Sequence, residues 1–189
     1  MKNNKEYYKN RIHNDMNRLK SYEIEKKFIL NNINIKKFGN LKILDIGSGT
    51  GEMLDIFQVN KNKTYCLENS KYALNILKKK NYKVFNEKMI SKKSYKFDLI
   101  ILRGSIQYFT NPYNFLTLIS KQLKKNSYLI FLQTPNSSSV SFSLNKNLSF
   151  LEFKKMYFIP NRNSLTYFLS QINFKEIKFV YPYLASPYR

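Results

Sequence analysis

Hydrophobic and polar positions along this chain follow two periods. Tyr8, Ile12, Met16 (or Asp15), Leu19 and Tyr22 recur at helical spacing, Ile24, Phe28 and Ile29 continue the apolar face, and the pattern predicts a helix over 4–33. Phe38-Gly39-Asn40 reads as a turn. Short apolar runs then alternate with helical patterns. Strands are expected over 42–46, 64–68, 83–86, 97–102 and 128–134, and helices over 52–58, 71–79 and 112–123. Residues 136–162 break the rhythm, and a helix over 164–171 and a strand over 174–181 follow. Strands alternating with helices imply an α/β fold, a doubly wound parallel sheet with helices on both faces. Right-handed crossovers bring the strands' carboxyl ends to one edge, where a ligand sits at the topological switch point.

The stretch Leu41-Lys42-Ile43-Leu44-Asp45-Ile46-Gly47-Ser48-Gly49-Thr50-Gly51-Glu52 carries the most chemistry. A buried strand ends in an acid and a Gly-x-Gly-x-Gly turn, the pattern of a strand-to-helix turn that cradles an adenosine cofactor. Gly47 and Gly49 let the backbone come close to a ligand, and Gly51 lets a helix pack tightly against the sheet. Asp45 decides between cofactors. A carboxylate repels the pyrophosphate of a nicotinamide cofactor and suits the sulfonium and ammonium of S-adenosyl-L-methionine. Glu68 ends the second strand 21 positions after Gly47, about the ~20-residue spacing at which an acid meets ribose hydroxyls.

Asp45 to Gly51 and then Glu68-Asn69-Ser70 resemble the first two motifs of class I S-adenosylmethionine-dependent methyltransferases. The resemblance continues through Phe97-Asp98-Leu99-Ile100-Ile101-Leu102, Asn111-Pro112 with Leu116 and Leu123, and Tyr128 to Asn136 with its Thr-Pro-Asn ending. It covers about residues 40–181 and is strongest for the small-molecule and sugar enzymes, including those of ubiquinone biosynthesis and polysaccharide clusters. It implies a Rossmann-like, mostly parallel sheet of six to seven strands. The expected organisation is a single domain of 1–189. It comprises a helical cap (1–33), a cofactor-binding core (40–135), a lid or substrate wall (136–162) and a C-terminal helix and strand (163–189). The seventh strand of the family is expected to be absent, supplied by a partner chain or lost by truncation. Where the family has a Gly-Gly turn before its fifth strand, this chain has Lys125-Asn126-Ser127, and Asn tolerates a left-handed turn.

The formal charge of +21 admits nucleic acid or an anionic surface as a partner. The excess is lysine scattered through every segment, with arginine only at 11, 18, 103, 162 and 189, which points to compositional drift. Lys78-Lys79-Lys80 closes an expected helix, where positive charge favours the dipole. No apolar run reaches the ~18 residues of a membrane span, the N-terminal Met1-Lys2-Asn3-Asn4-Lys5-Glu6 is polar and lacks a signal peptide's apolar stretch, and a cytoplasmic protein is expected. One cysteine, Cys66, excludes an internal disulfide and reads as core. One histidine and no carboxylate cluster give no metal site.

The cofactor residues implied are Asp45, Gly47, Ser48, Gly49, Gly51, Glu68 and Asn69. Asn86 and Glu87 are implied for the adenine edge, with Arg103 and Gly104 at the methionine end. Transfer to a hydroxyl needs a base. Many relatives carry a histidine shortly after the fourth strand, and here Gln107 and Tyr108 stand in its place. Tyr108 is the catalytic candidate, with His13 on the N-terminal helix, beside Tyr7, Tyr8 and Arg11. Asp98 opens its strand on the opposite edge and reads as structural. Asn111-Pro112-Tyr113 is similar to the Asn-Pro-Pro-Tyr box of base-methylating enzymes, but Arg103 to Thr110 separate it from the strand. A helix cap explains it better. The expected function is methyl transfer from S-adenosyl-L-methionine to a small molecule or glycan precursor, at oxygen. The alternatives are an RNA methyltransferase, or a non-catalytic cofactor- or partner-binding domain of this fold. A nicotinamide dehydrogenase is disfavoured.

Overall fold

Near-continuous burial along the central strands, with side chains alternating between two covered faces, sets the architecture. The structure is a computed structural model that describes residues 15–34, 39–58, 61–92, 95–145 and 155–180. In β1 (Lys42–Ile46) and β4 (Phe97–Arg103), Ile43, Leu99 and Ile101 face one side of the sheet, while Leu44, Ile46, Ile100 and Leu102 face the other. All are fully buried, each stabilising the fold by roughly 1.5–3 kcal/mol. Both faces are apolar because both are covered, as a parallel sheet requires.

β2 (Lys63–Leu67), β3 (Lys83–Phe85) and β5 (Leu123–Leu132) complete a parallel sheet of order β3-β2-β1-β4-β5. Helix α1 (Asp15–Asn32) and α2 (Glu52–Gln58) cover one face through Tyr22, Ile29, Met53 and Phe57. On the same side, α3 (Lys71–Lys79) packs Leu77 with Leu54, Cys66 and Tyr82. The other face receives α4 (Glu87–Lys92) through Ile90, α5 (Pro112–Ser120) through Phe115, Leu116 and Ile119, and α7 (Arg162–Gln171) through Phe168. Short α6 (Val140–Asn145) precedes α7. The order reverses at β1, so the crevice between the carboxyl ends of β1 and β4 is the topological switch point.

The expected parallel α/β architecture is present, but the expected six to seven strands are five among the described residues. Residues 174–180 form no strand and pair with none of the five. Their alternation instead lays Phe179 beneath the Arg162 guanidinium at 5.3 Å, and Lys178 donates to Asn32 of α1 at 2.9 Å. β5 begins at Leu123, earlier than the expected 128. The register jumps from Phe97 opposite Leu123 to Leu99 opposite Tyr128, and Asn126 takes a left-handed φ of 57° inside that irregularity. Asn111 caps α5 by accepting from the Asn114 N–H at 3.0 Å, with Pro112 in the first turn. Asp98 accepts from the Lys42 N–H at 2.8 Å and pairs with Lys124 at 2.7 Å, at the edge away from the switch point. Among the described residues no helix is long and apolar enough to cross a membrane.

Candidate cofactor site

The loop after β1 is held by its neighbours on both sides. The Gly47 N–H donates to the Leu67 carbonyl at 2.8 Å, and the Ser105 hydroxyl donates to the Ile46 carbonyl at 2.8 Å. Gly47 has φ 73°, and a Cβ there would lie 2.6 Å from the Ser105 Cβ, so both the turn and the packing require glycine. A Cβ on Gly51 would meet Leu77 at 2.9 Å and Tyr82 at 3.2 Å. The tight approach expected at Gly51 is therefore made by α3 and the residue before β3. Ser48 is buried in the same turn.

Glu68 ties this loop to the start of α3. One carboxylate oxygen accepts from the Gly49 N–H at 2.8 Å, and the other from the N–H groups of Asn69 and Ser70, both at 2.7 Å. A carboxylate offers about four acceptor sites, so three N–H groups leave capacity for one further donor. The expected ribose acid thus lies beside the Gly loop, with much of its hydrogen bonding already used by backbone.

Asp45 is 2% exposed, and its Oδ1 has no hydrogen-bond donor. Burial raises its pKa from 3.8 to about 7; Arg103 opposes the rise, and Glu68, Glu52 and Glu25 add to it. A buried acceptor without a donor costs about 1–3 kcal/mol, and the group that satisfies it must be a donor or a cation. Four acids thus surround the switch point of a chain whose formal charge is +21. A ligand carrying a sulfonium and an ammonium fits that donor-poor, anionic edge, and an anionic pyrophosphate does not.

Arg103 ends β4, but its guanidinium turns to α1. Its Nε donates to Glu25 at 2.7 Å, a terminal nitrogen donates to the other Glu25 oxygen at 3.1 Å, and the guanidinium lies 4.4 Å from the Tyr22 ring centre. The Gln133 amide also donates to Glu25, at 2.9 Å. Nearby, Arg18 donates to the Tyr22 hydroxyl at 2.9 Å and stands 3.9 Å from Glu52, whose carboxylate accepts from the Thr50 hydroxyl. Sequence reasoning missed Ser21, Tyr22, Glu25 and Glu52 as site neighbours. The signal was a polar stripe, Arg18, Ser21 and Glu25, crossing the apolar face of a helix.

The remaining candidates are dispersed. Asn86 caps α4, its Oδ1 accepting from the Met89 N–H at 2.8 Å, and Glu87 is the exposed first residue of that helix. Gly104 follows Arg103 and donates to the Leu132 carbonyl at 2.8 Å. Gln107, 3% exposed, donates its amide to the Gly104 carbonyl at 3.0 Å, while its Oε1 has no donor. Its backbone carbonyl accepts from the Tyr157 N–H at 2.9 Å, so the end of the expected 136–162 wall reaches this turn. Tyr108 is 42% exposed beside it. Tyr7, Tyr8, Arg11 and His13 lie outside the described residues, as do 146–154.

Fold and site together define a Rossmann-like domain that binds a cationic adenosyl cofactor. A family model described as a methyltransferase domain matches residues 12–178, and the chain belongs to that family. It is a class I S-adenosylmethionine-dependent methyltransferase. Similar solved structures include a methyltransferase from Archaeoglobus fulgidus (18% identity, TM-score 0.65, 84% of this chain and 71% of that one). Another is the plantazolicin methyltransferase BpumL in complex with S-adenosylhomocysteine (22% identity, TM-score 0.65, 90% and 70%). A third is from Thermotoga maritima (21% identity, TM-score 0.62, 82% and 72%). No curated protein matches the chain.

Proposed function

We propose that the switch-point edge binds S-adenosylmethionine and that the domain transfers its methyl group to a small molecule or glycan precursor at a hydroxyl oxygen. The carrying observation is the buried carboxylate of Asp45 at the end of β1, whose Oδ1 has no donor. Asp45 and Glu68 flank the Gly loop and would hold the cofactor with the backbones of Gly47, Ser48, Gly49 and Gly51. Asn69, Asn86 and Glu87 would line its adenosine end, and the backbone at Arg103 and Gly104 its methionine end, with the Arg103 guanidinium turned away to Glu25. The bound cofactor supplies an activated methyl on a sulfonium, transferred by in-line displacement. The chain's contribution is to align the acceptor and exclude water, which supplies much of the acceleration. Tyr108, 42% exposed, would orient an acceptor hydroxyl, and His13 is the candidate base from the N-terminal segment. The likeness to BpumL, a plantazolicin methyltransferase, supports a small-molecule acceptor.

A second reading, transfer to an amine nitrogen, rests on the unpartnered Oε1 of buried Gln107. That oxygen can accept an N–H but cannot deprotonate a hydroxyl. Incubation with tritiated S-adenosylmethionine and matched alcohol and amine probes tests both. Label on the alcohol, reduced by Tyr108→Phe, supports the first reading. Label on the amine alone, reduced by Gln107→Leu, supports the second.

A further inference from the structure

The cofactor is a cation, yet the carboxyl end of β4 presents another cation, Arg103, to the same edge. The guanidinium does not rest on Asp45. It is engaged from the other side by Glu25, through both carboxylate oxygens at 2.7 and 3.1 Å. Ser21 adds an acceptor at 3.4 Å, and Tyr22 lies against the guanidinium. Glu25 is itself fixed, because its Oε1 also accepts from Gln133 just beyond β5. The Arg103 and Glu25 side chains are only 15% and 11% exposed, so water screens the pair weakly. Arg103 is also the cation whose field acts on Asp45.

We propose that Glu25 is a positioning residue for cofactor binding: it draws the Arg103 guanidinium onto the N-terminal helix and neutralises it, leaving Asp45 to face the cationic cofactor. The proposal rests on the assignment of this edge as the cofactor site. Without the Glu25 charge, Arg103 competes with the cofactor for Asp45 and repels the sulfonium. Tyr22 and Ser21 hold the guanidinium in place but carry no charge to cancel its own. The product, S-adenosylhomocysteine, differs only by the lost methyl and the sulfonium charge it carried, so the two ligands separate an electrostatic role from a merely structural one.

The test is calorimetric titration of both ligands into the full chain, its Glu25→Gln variant, and the double variant Glu25→Gln with Arg103→Met. In Glu25→Gln, S-adenosylmethionine is expected to weaken about tenfold and S-adenosylhomocysteine at most about twofold. In the double variant the ratio of the two affinities returns to within about twofold of the original. Both ligands meet the same preparation, so partial unfolding cancels in the ratio. Equal weakening of both ligands by Glu25→Gln, or no recovery in the double variant, overturns the proposal. A Gly49→Asp variant run alongside separates the two failures. If it binds both ligands like the original chain, the site assignment itself is wrong.

Discussion

Gly47 and Ser105 meet so closely that a single methyl group at position 47 would come within 2.6 Å of the Ser105 Cβ. The contact joins the turn after β1 to the turn after β4, the two segments that bound the switch-point crevice. The Ser105 hydroxyl reinforces it by donating to the Ile46 carbonyl at 2.8 Å. Gly47→Ala therefore incurs a clash and a strained positive φ together. It is expected to destabilise the fold by about 1–3 kcal/mol, measured as a lower urea midpoint with unchanged slope. Adding Ser105→Gly should relieve the clash but forfeit the hydroxyl's hydrogen bond to the Ile46 carbonyl, so recovery is expected to be partial.

Asp45 makes stability and cofactor affinity depend on pH in opposite senses. Its pKa is raised from 3.8 to about 7, so its favourable contribution is complete below about pH 4 and is lost as pH rises through 7. The full span is on the order of 4 kcal/mol. Urea unfolding between pH 5 and 8 should show a decline that Asp45→Asn flattens. Affinity for S-adenosylmethionine should rise over the same interval, because only the ionised carboxylate attracts the cation. A pH-independent difference between the two proteins would contradict this account of Asp45.

Asn111 distinguishes a cap from a base-recognition box. Its side chain accepts from the Asn114 N–H at 3.0 Å and starts α5. Asn111→Ala is expected to cost about 1 kcal/mol of stability and leave cofactor affinity within about twofold. Thermal melts and calorimetry on the same sample check both. Loss of methylation of a nucleic-acid substrate in this variant would favour the RNA reading instead.

What was legible in the sequence was whatever local chemistry dictates. The strand-acid-glycine run placed Asp45 at the end of β1 and the loop at the switch point, because few other sequences turn so sharply after a buried strand. The Asn126 turn and the Asn111 cap were readable for the same reason. Side-chain direction was not. Arg103 followed a strand that ends at the site, and only the packing of α1 shows that its guanidinium turns to Glu25, 78 positions away in sequence. The alternation over 174–181 looked like a strand, but strand identity is settled by a partner. Here Phe179 and Lys178 find theirs on helices, and residue 181 lies outside the described residues. The short α4 escaped notice because six residues hold less than two turns of periodicity.

The central claim is that the anionic edge at β1 and β4 binds S-adenosylmethionine through the Gly loop. The most direct measurement is calorimetric titration of the purified chain with S-adenosylmethionine, S-adenosylhomocysteine and NAD, beside Gly49→Asp. The account predicts micromolar binding of both adenosyl ligands, none of NAD, and loss of both in the variant. A well-folded chain that binds neither adenosyl ligand, or a variant that binds them unchanged, would contradict it.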